Sequence, residues 1–173
     1  VWRNVTTEKT SKVAETLDEF RANFQYNLLD EHVLRFNAEV PLAVQWDDHE
    51  TLNNWYPEEV LDSDLYRVKS VALLAARANR AFHESMPTRQ NESDRERIFR
   101  KLAYGPHLDV FFLDLRSYRA ANGANREPAP GPATAFFGSE QMAWLKRELE
   151  SSRATWKVVA SDMPLGIVVP DGP

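Results

Sequence analysis

The run VPLAVQWDDHE, residues 40–50, sets an apolar stretch of strand length directly against four polar groups: Asp47, Asp48, His49 and Glu50. Two later runs share that form. LDVFFL, residues 108–113, is almost continuously apolar, as a strand buried on both faces is, and it runs into Asp114-Leu115-Arg116. WKVVA, residues 156–160, runs into Ser161-Asp162-Met163-Pro164. Helical spacing fills the intervals. Val13, Leu17, Phe20, Phe24 and Leu28 form one apolar stripe, and Asp30 predicts the N-cap of a short helix reaching about Asn37. Asp64 predicts the cap of a longer helix that buries Leu65, Val68, Ala72 and Phe82 and ends at Met86-Pro87. Ser139 predicts a third cap, with Met142, Leu145 and Leu149 facing inward. Helices alternating with strands give an α/β fold with the sheet covered by helices. A further strand at 98–104, paired as a hairpin with 108–113, makes the sheet mixed. Residues 122–132, rich in Gly, Pro and Ala, predict an exposed, mobile loop.

The chain has 173 residues, of which 43% are hydrophobic and 27% charged, enough for a real core and a well-solvated surface. A net charge of −5 argues against a general nucleic-acid binder, which carries a basic face. With no cysteine, disulfides and thiolate metal ligands are excluded within this span. No apolar run approaches the ~20 residues of a membrane helix. The sequence opens at Val1-Trp2 and stops at Gly172-Pro173; both ends read as cuts inside a longer protein, with any targeting signal expected upstream. Oligomeric state is not legible.

In α/β sheets, ligands bind beyond the carboxyl ends of the strands. Parallel neighbouring strands here would bring together Asp47, Asp48 and His49, then Asp114 and Arg116, then Ser161 and Asp162. Carboxylates and imidazole ligate hard and borderline metals, and two metals about 3.5–4 Å apart can clamp the attacking and leaving oxygens of a phosphoester. A neighbouring histidine can protonate the leaving group. The alternative is a set of solvated acidic loops on a non-catalytic α/β interaction or structural domain. Two readings also stand for Asn54, a turn former or a donor to a phosphate oxygen. Arg116 either pairs with Asp114, the favoured reading, or grips phosphate through two parallel hydrogen bonds.

Trp46-Asp47-Asp48-His49-Glu50 followed by Asn53-Asn54-Trp55 resembles the W-D-D-H-E-x-x-N-N-W signature of PhoD-like alkaline phosphatases. Further matches are Val1-Trp2-Arg3-Asn4, Tyr26-Asn27-Leu28-Leu29-Asp30, His83-Glu84-Ser85-Met86-Pro87, residues 113–119 (LDLRSYR), Gln141-Met142-Ala143-Trp144-Leu145-Lys146 and Trp156-Lys157-Val158, so that the resemblance covers the whole chain. It implies a calcineurin-like metallophosphatase sandwich, with mixed sheets flanked by helices, of which residues 1–173 form the middle section of the catalytic domain. It further implies hydrolysis of phosphate mono- or diesters, calcium and iron as the metals, and a secreted or periplasmic location. By the same resemblance His49 is the catalytic histidine. Asp48 is a metal ligand, and Asp47 either ligates or orients its neighbours. Asp162 stands where many calcineurin-like enzymes carry a ligand before a proline, while Asn54 and Arg116 are substrate-binding candidates. The family's remaining ligand motifs are not within this span, so the chain on its own is expected to lack activity.

Overall fold

The computed structural model describes residues 7–123 and 126–164. Helix α1 spans Leu17–Asn27 and starts on a reciprocal cap: Thr16 Oγ1 accepts from the Glu19 N–H at 3.3 Å, and Glu19 Oε2 accepts from the Thr16 and Glu15 N–H groups at 2.9 Å. Phe20 and Ala22 face the core, while Val13 lies before the helix and Leu28 caps its end, so the helical part of the expected stripe is shorter. Helix α2, Glu31–Glu39, begins where expected. Asp30 Oδ1 accepts from the His32 and Val33 N–H groups at 2.8 and 3.0 Å. None of its residues is buried. Val33 and Leu34 line an open apolar groove of about 930 Å³ together with Leu28, Leu42 and Met86.

Helix α3, Val71–Ser85, begins later than the sequence predicts, capped by Ser70 and not by Asp64. The reason is tertiary. Buried Glu15 takes the backbone N–H groups of Arg67 and Val68 at 2.6 and 2.7 Å, and Ser70 forms a β-bridge to Val60, which together hold 65–70 out of helical geometry. Leu65, expected inside, is exposed. The helix does end at Met86 as expected.

Strands β1, Arg100–Tyr104, and β2, Leu108–Phe112, form an antiparallel hairpin with Gly105 at φ +66° in the turn. Strand β3, Trp156–Ala160, runs parallel to β2, giving a three-stranded mixed sheet in the order β1-β2-β3. Helix α4, Ser139–Ser151, makes the crossover between the two parallel strands; its N-cap is Gly138, one residue before the expected Ser139. The fold is thus mixed α/β with four α-helices among the described residues. The expected strand at 40–46 is a correction: this segment belongs to no strand and does not pair with the sheet. Pro41 cannot donate a backbone hydrogen bond, and side chains bind the segment instead. Arg100 Nη2 donates to the Val44 carbonyl, while Gln45 Nε2 donates to the Leu113 and Ala160 carbonyls at 3.0 and 3.1 Å, closing the ends of β2 and β3.

Two cores result. One packs Trp46 and Trp55 with α1 and α3 around Phe20, Leu74 and Phe82; the other packs Phe99, Phe111 and Leu113 under Trp144 of α4. Neighbouring residues Ile98 and Phe99 serve one core each. Residues 121–123 and 126–134 are exposed, as expected for that loop. No helix among the described residues is long and apolar enough to cross a membrane.

The α1 cap carries a pH signature. Burial pushes the Glu19 carboxyl up, but the Lys12 ammonium and the two backbone N–H donors outweigh it and hold the group down at about 2. A depressed carboxyl contributes stability above its unfolded value and loses it as the pH falls through the folded one. In Glu19→Gln the stability deficit relative to wild type should therefore shrink as pH drops from about 5 to about 2.5; thermal midpoints across that range check this, and a constant deficit would show that the charge contributes nothing.

Candidate active site

The carboxyl ends of the three apolar segments meet at one guanidinium. Arg116, just beyond β2, is almost wholly buried. Its Nε and Nη2 donate to Asp47 Oδ1 at 3.1 and 2.9 Å. Asp48 Oδ2 lies 3.5 Å from Nη2, and Asp162 Oδ2 lies 3.9 Å from Nε. The sequence-based expectation that Asp47, Asp48, Arg116 and Asp162 converge is therefore how the chain folds. The favoured partner for Arg116 is corrected, however. Asp114 does not pair with its guanidinium. Asp114 Oδ1 instead accepts from Trp46 Nε1 at 3.2 Å and from the backbone N–H groups of Arg116 and Ser117 at 3.0 and 2.9 Å. A carboxylate two residues before an arginine is better placed to cap the intervening turn than to reach the outstretched guanidinium.

The loop after Trp46 is built from its own polar groups. Glu50 Oε2 accepts the Asp47 N–H at 2.8 Å, the Asp48 carbonyl accepts the Thr51 N–H at 2.8 Å, and Asp48 Oδ2 accepts the Asn54 N–H at 2.8 Å. Asn54 closes the loop at φ +52°, a left-handed conformation that asparagine tolerates better than most residues. Buried Trp46 and Trp55 anchor the two ends with rings 5.7 Å apart, edge to face. His49 projects outward with its side chain 64% exposed; Nε2 lies 3.1 Å from Asn53 Oδ1 and 3.7 Å from Asp48 Oδ1. A cavity of about 620 Å³ opens beside His49 and Asn53, walled by Phe20, Phe24 and Tyr66.

The electrostatics are those of an acidic cluster around one cation. Burial pushes the Asp162 carboxyl up to about 7, with neighbouring Asp47 adding to the rise and Arg116 opposing it. Burial likewise raises Glu50. Two buried atoms in the cluster, Asp162 Oδ2 and Arg116 Nη1, have no hydrogen-bond partner among the described residues. Among the described residues no three His, Cys, Asp or Glu groups are arranged to hold a metal ion by themselves, and Arg116 lies within 4 Å of Asp47, Asp48 and Asp162. Asp48 is nonetheless suited to give a ligand to a larger set, being a buried carboxylate held by a backbone N–H on one oxygen.

Four residues around the site were not singled out in the sequence. Gln45 was signalled by a lone amide inside an apolar run. Gln141 was signalled by its place on the inward stripe of α4, and it bridges the Asp114 N–H and carbonyl at 2.8 Å each. Arg119 and Asn122 had no signal of their own: Arg119 Nη2 donates to Asn122 Oδ1 at 2.6 Å, and Asn122 Nδ2 donates to the Asn54 carbonyl at 2.7 Å.

A cluster of acidic side chains around Arg116 thus lies beyond the carboxyl ends of the parallel strands β2 and β3, with an outward histidine beside it. The family model described as PhoD-like phosphatase matches residues 1–173, and the chain belongs to that family. It is 32% identical over 170 residues to alkaline phosphatase D of Bacillus subtilis (strain 168), covering 92% of this chain and 28% of that protein. A solved structure described as "Structure of PhoD" superposes with a TM-score of 0.67 at 31% identity, over 83% of this chain and 29% of that one. The chain thus spans under a third of the length of these relatives.

Removing the Asp114 carboxylate strips an acceptor from three donors, each costing about 1–3 kcal/mol when left buried and unpaired. Asp114→Ala should destabilise the protein by about 3 kcal/mol or more, whereas Asp114→Asn, which keeps one acceptor oxygen, should lose less. Denaturant midpoints of both variants test this ordering.

Proposed function

We propose that this chain is the middle section of the catalytic domain of a metal-dependent phosphoester hydrolase acting on phosphate mono- or diesters. The observation that carries the reading is His49, exposed beside buried Asp48 on the signature loop of a phosphatase family. In this reading His49 faces the leaving-group oxygen and delivers its proton. The Arg116 Nη1–H and the Asn54 side chain contact phosphate oxygens. Asp48 offers one metal ligand, Asp162 a second, and Asp47 either a third or the orientation of its neighbours. The other ligands come from chain outside this span, in keeping with its covering only 28% of alkaline phosphatase D. When bound, the metals, calcium and iron by family resemblance, supply positive charge and an activated water. Family resemblance also supports a secreted or periplasmic protein, and the net charge of −5 argues against a general nucleic-acid binder.

One observation favours a non-catalytic α/β interaction domain instead: Arg116 already gives the three carboxylates a shared counter-charge. The same experiments separate the two. In the full-length enzyme, His49→Ala should lower kcat about 10²–10⁴-fold with metal content unchanged. Asp48→Ala should lower metal occupancy, with activity partly restored at high metal concentration. Wild-type turnover in His49→Ala would remove that residue from the chemistry, and a full-length wild-type protein that binds no metal and turns over no ester would establish the non-catalytic reading. The 173-residue chain by itself should show no turnover of a chromogenic phosphate ester when iron and calcium salts are added.

A further inference from the structure

The loop that carries Asp48 and His49 is held from outside at the Asn54 backbone. Asn54 ends the loop at φ +52°, a conformation that costs a non-glycine residue free energy and persists where its surroundings over-determine it. Its peptide groups are fixed from both directions. The Asn54 N–H donates to Asp48 Oδ2 at 2.8 Å, and the Asn54 carbonyl accepts from Asn122 Nδ2 at 2.7 Å. Asn122 is an exposed residue on a loop and would not hold a fixed rotamer alone. Its amide oxygen is taken by Arg119 Nη2 at 2.6 Å, which sets the amide so that the nitrogen points at Asn54. Arg119 is itself packed, its guanidinium lying over the Phe136 ring at 5.1 Å from the centroid and its Nη1 against Met163 Sδ at 3.9 Å.

We propose that Asn122, braced by Arg119, is a positioning residue: the relay Arg119–Asn122–Asn54–Asp48 fixes the peptide that orients the Asp48 carboxylate and, through it, the neighbouring His49. Its effect on catalysis rests on the phosphoesterase reading above; the geometric clamp does not. The relay spans 68 positions in sequence, from the segment after β2 to the signature loop, and no other hydrogen bond from the 120–123 segment reaches that loop among the described residues. A neutral hydrogen bond contributes modestly on its own, but small misplacements of reacting groups are costly in rate, so an effect of about tenfold is the expected scale.

The test uses the full-length enzyme and two readouts. Asn122→Ala should lower kcat about tenfold with KM little changed, and should speed amide hydrogen exchange in the peptide covering residues 47–56. Asn122→Asp keeps the acceptor for Arg119 but loses the donor to Asn54, and should show the same two losses; Arg126→Ala, exposed on the same loop, should show neither. Wild-type exchange in Asn122→Ala would overturn the clamp. Faster exchange with unchanged kcat would overturn its catalytic role. Asn122→Asp behaving as wild type would overturn the assignment of the Nδ2 donor. If the wild-type enzyme turned over no phosphoester, the hydrolase reading would fail, and the exchange data would still decide whether the clamp exists.

Discussion

One buried carboxylate oxygen, Asp114 Oδ1, joins the two cores of this chain. It accepts the indole N–H of Trp46, which belongs to the core built on α1 and α3, and the backbone N–H groups of Arg116 and Ser117, which leave the sheet on the side of α4. Gln141 of α4 completes the arrangement by bonding both backbone groups of the same residue. With Asp114 fixed, the turn after β2 aims Arg116 back across the strand ends, and Trp46 brings the signature loop under it. The contacts of Arg116 with Asp47 and Asp48 follow from those two placements, and the parallel pairing of β3 with β2 adds Asp162. Three donors converge on this one oxygen, while Asp114 Oδ2 is buried without a hydrogen-bond partner among the described residues.

Arg116 gives the cluster its electrostatic logic. Three carboxylates lie within 4 Å of its guanidinium nitrogens, two of them largely buried. Without the cation their mutual repulsion and desolvation would act together, and Asp162 shows the residue of that tension in a carboxyl raised to about 7 even with Arg116 present. The planar fork contacts several acids at once, which a lysine ammonium could not do with the same geometry.

Much of this was legible in the sequence because the relevant signals are local. The abrupt passage from apolar residues to Asp47-Asp48-His49-Glu50 located the loop, and the runs at 108–113 and 156–160 located the parallel pair whose ends converge. The errors arose where a distant group competed with local preference. Asp64 reads as a helix cap, yet Glu15 captures the backbone N–H groups of Arg67 and Val68 and delays the helix to Val71. Residues 40–46 read as a strand, but Gln45 and Arg100 side chains meet that segment in place of a ladder. Asp114 and Arg116 read as partners because they are neighbours, and the fold turns their side chains to different tasks. Arg119 and Asn122 were illegible because their importance rests on a rotamer and a carbonyl 68 positions away.

The pair of indoles bracketing the signature loop has a thermodynamic consequence for how the site comes apart. The Trp46–Trp55 contact closes a short loop, whereas the bonds from Trp46 to Asp114 and from Asp47 to Arg116 close segments of 68 and 69 residues. Loop-closure entropy grows by about 0.6 kcal/mol for each doubling of length, so the long closures cost about 2 kcal/mol more than the short one. A fluctuation that frees the end of the sheet therefore withdraws Arg116, Asp162 and the Asn122 contact together, while the hydrogen bonds within the loop, Asp47 N–H to Glu50 and Asn54 N–H to Asp48, close only short segments. What such an opening removes first is the counter-charge that Arg116 gives Asp47 and Asp48, which stay together with His49 on the short loop.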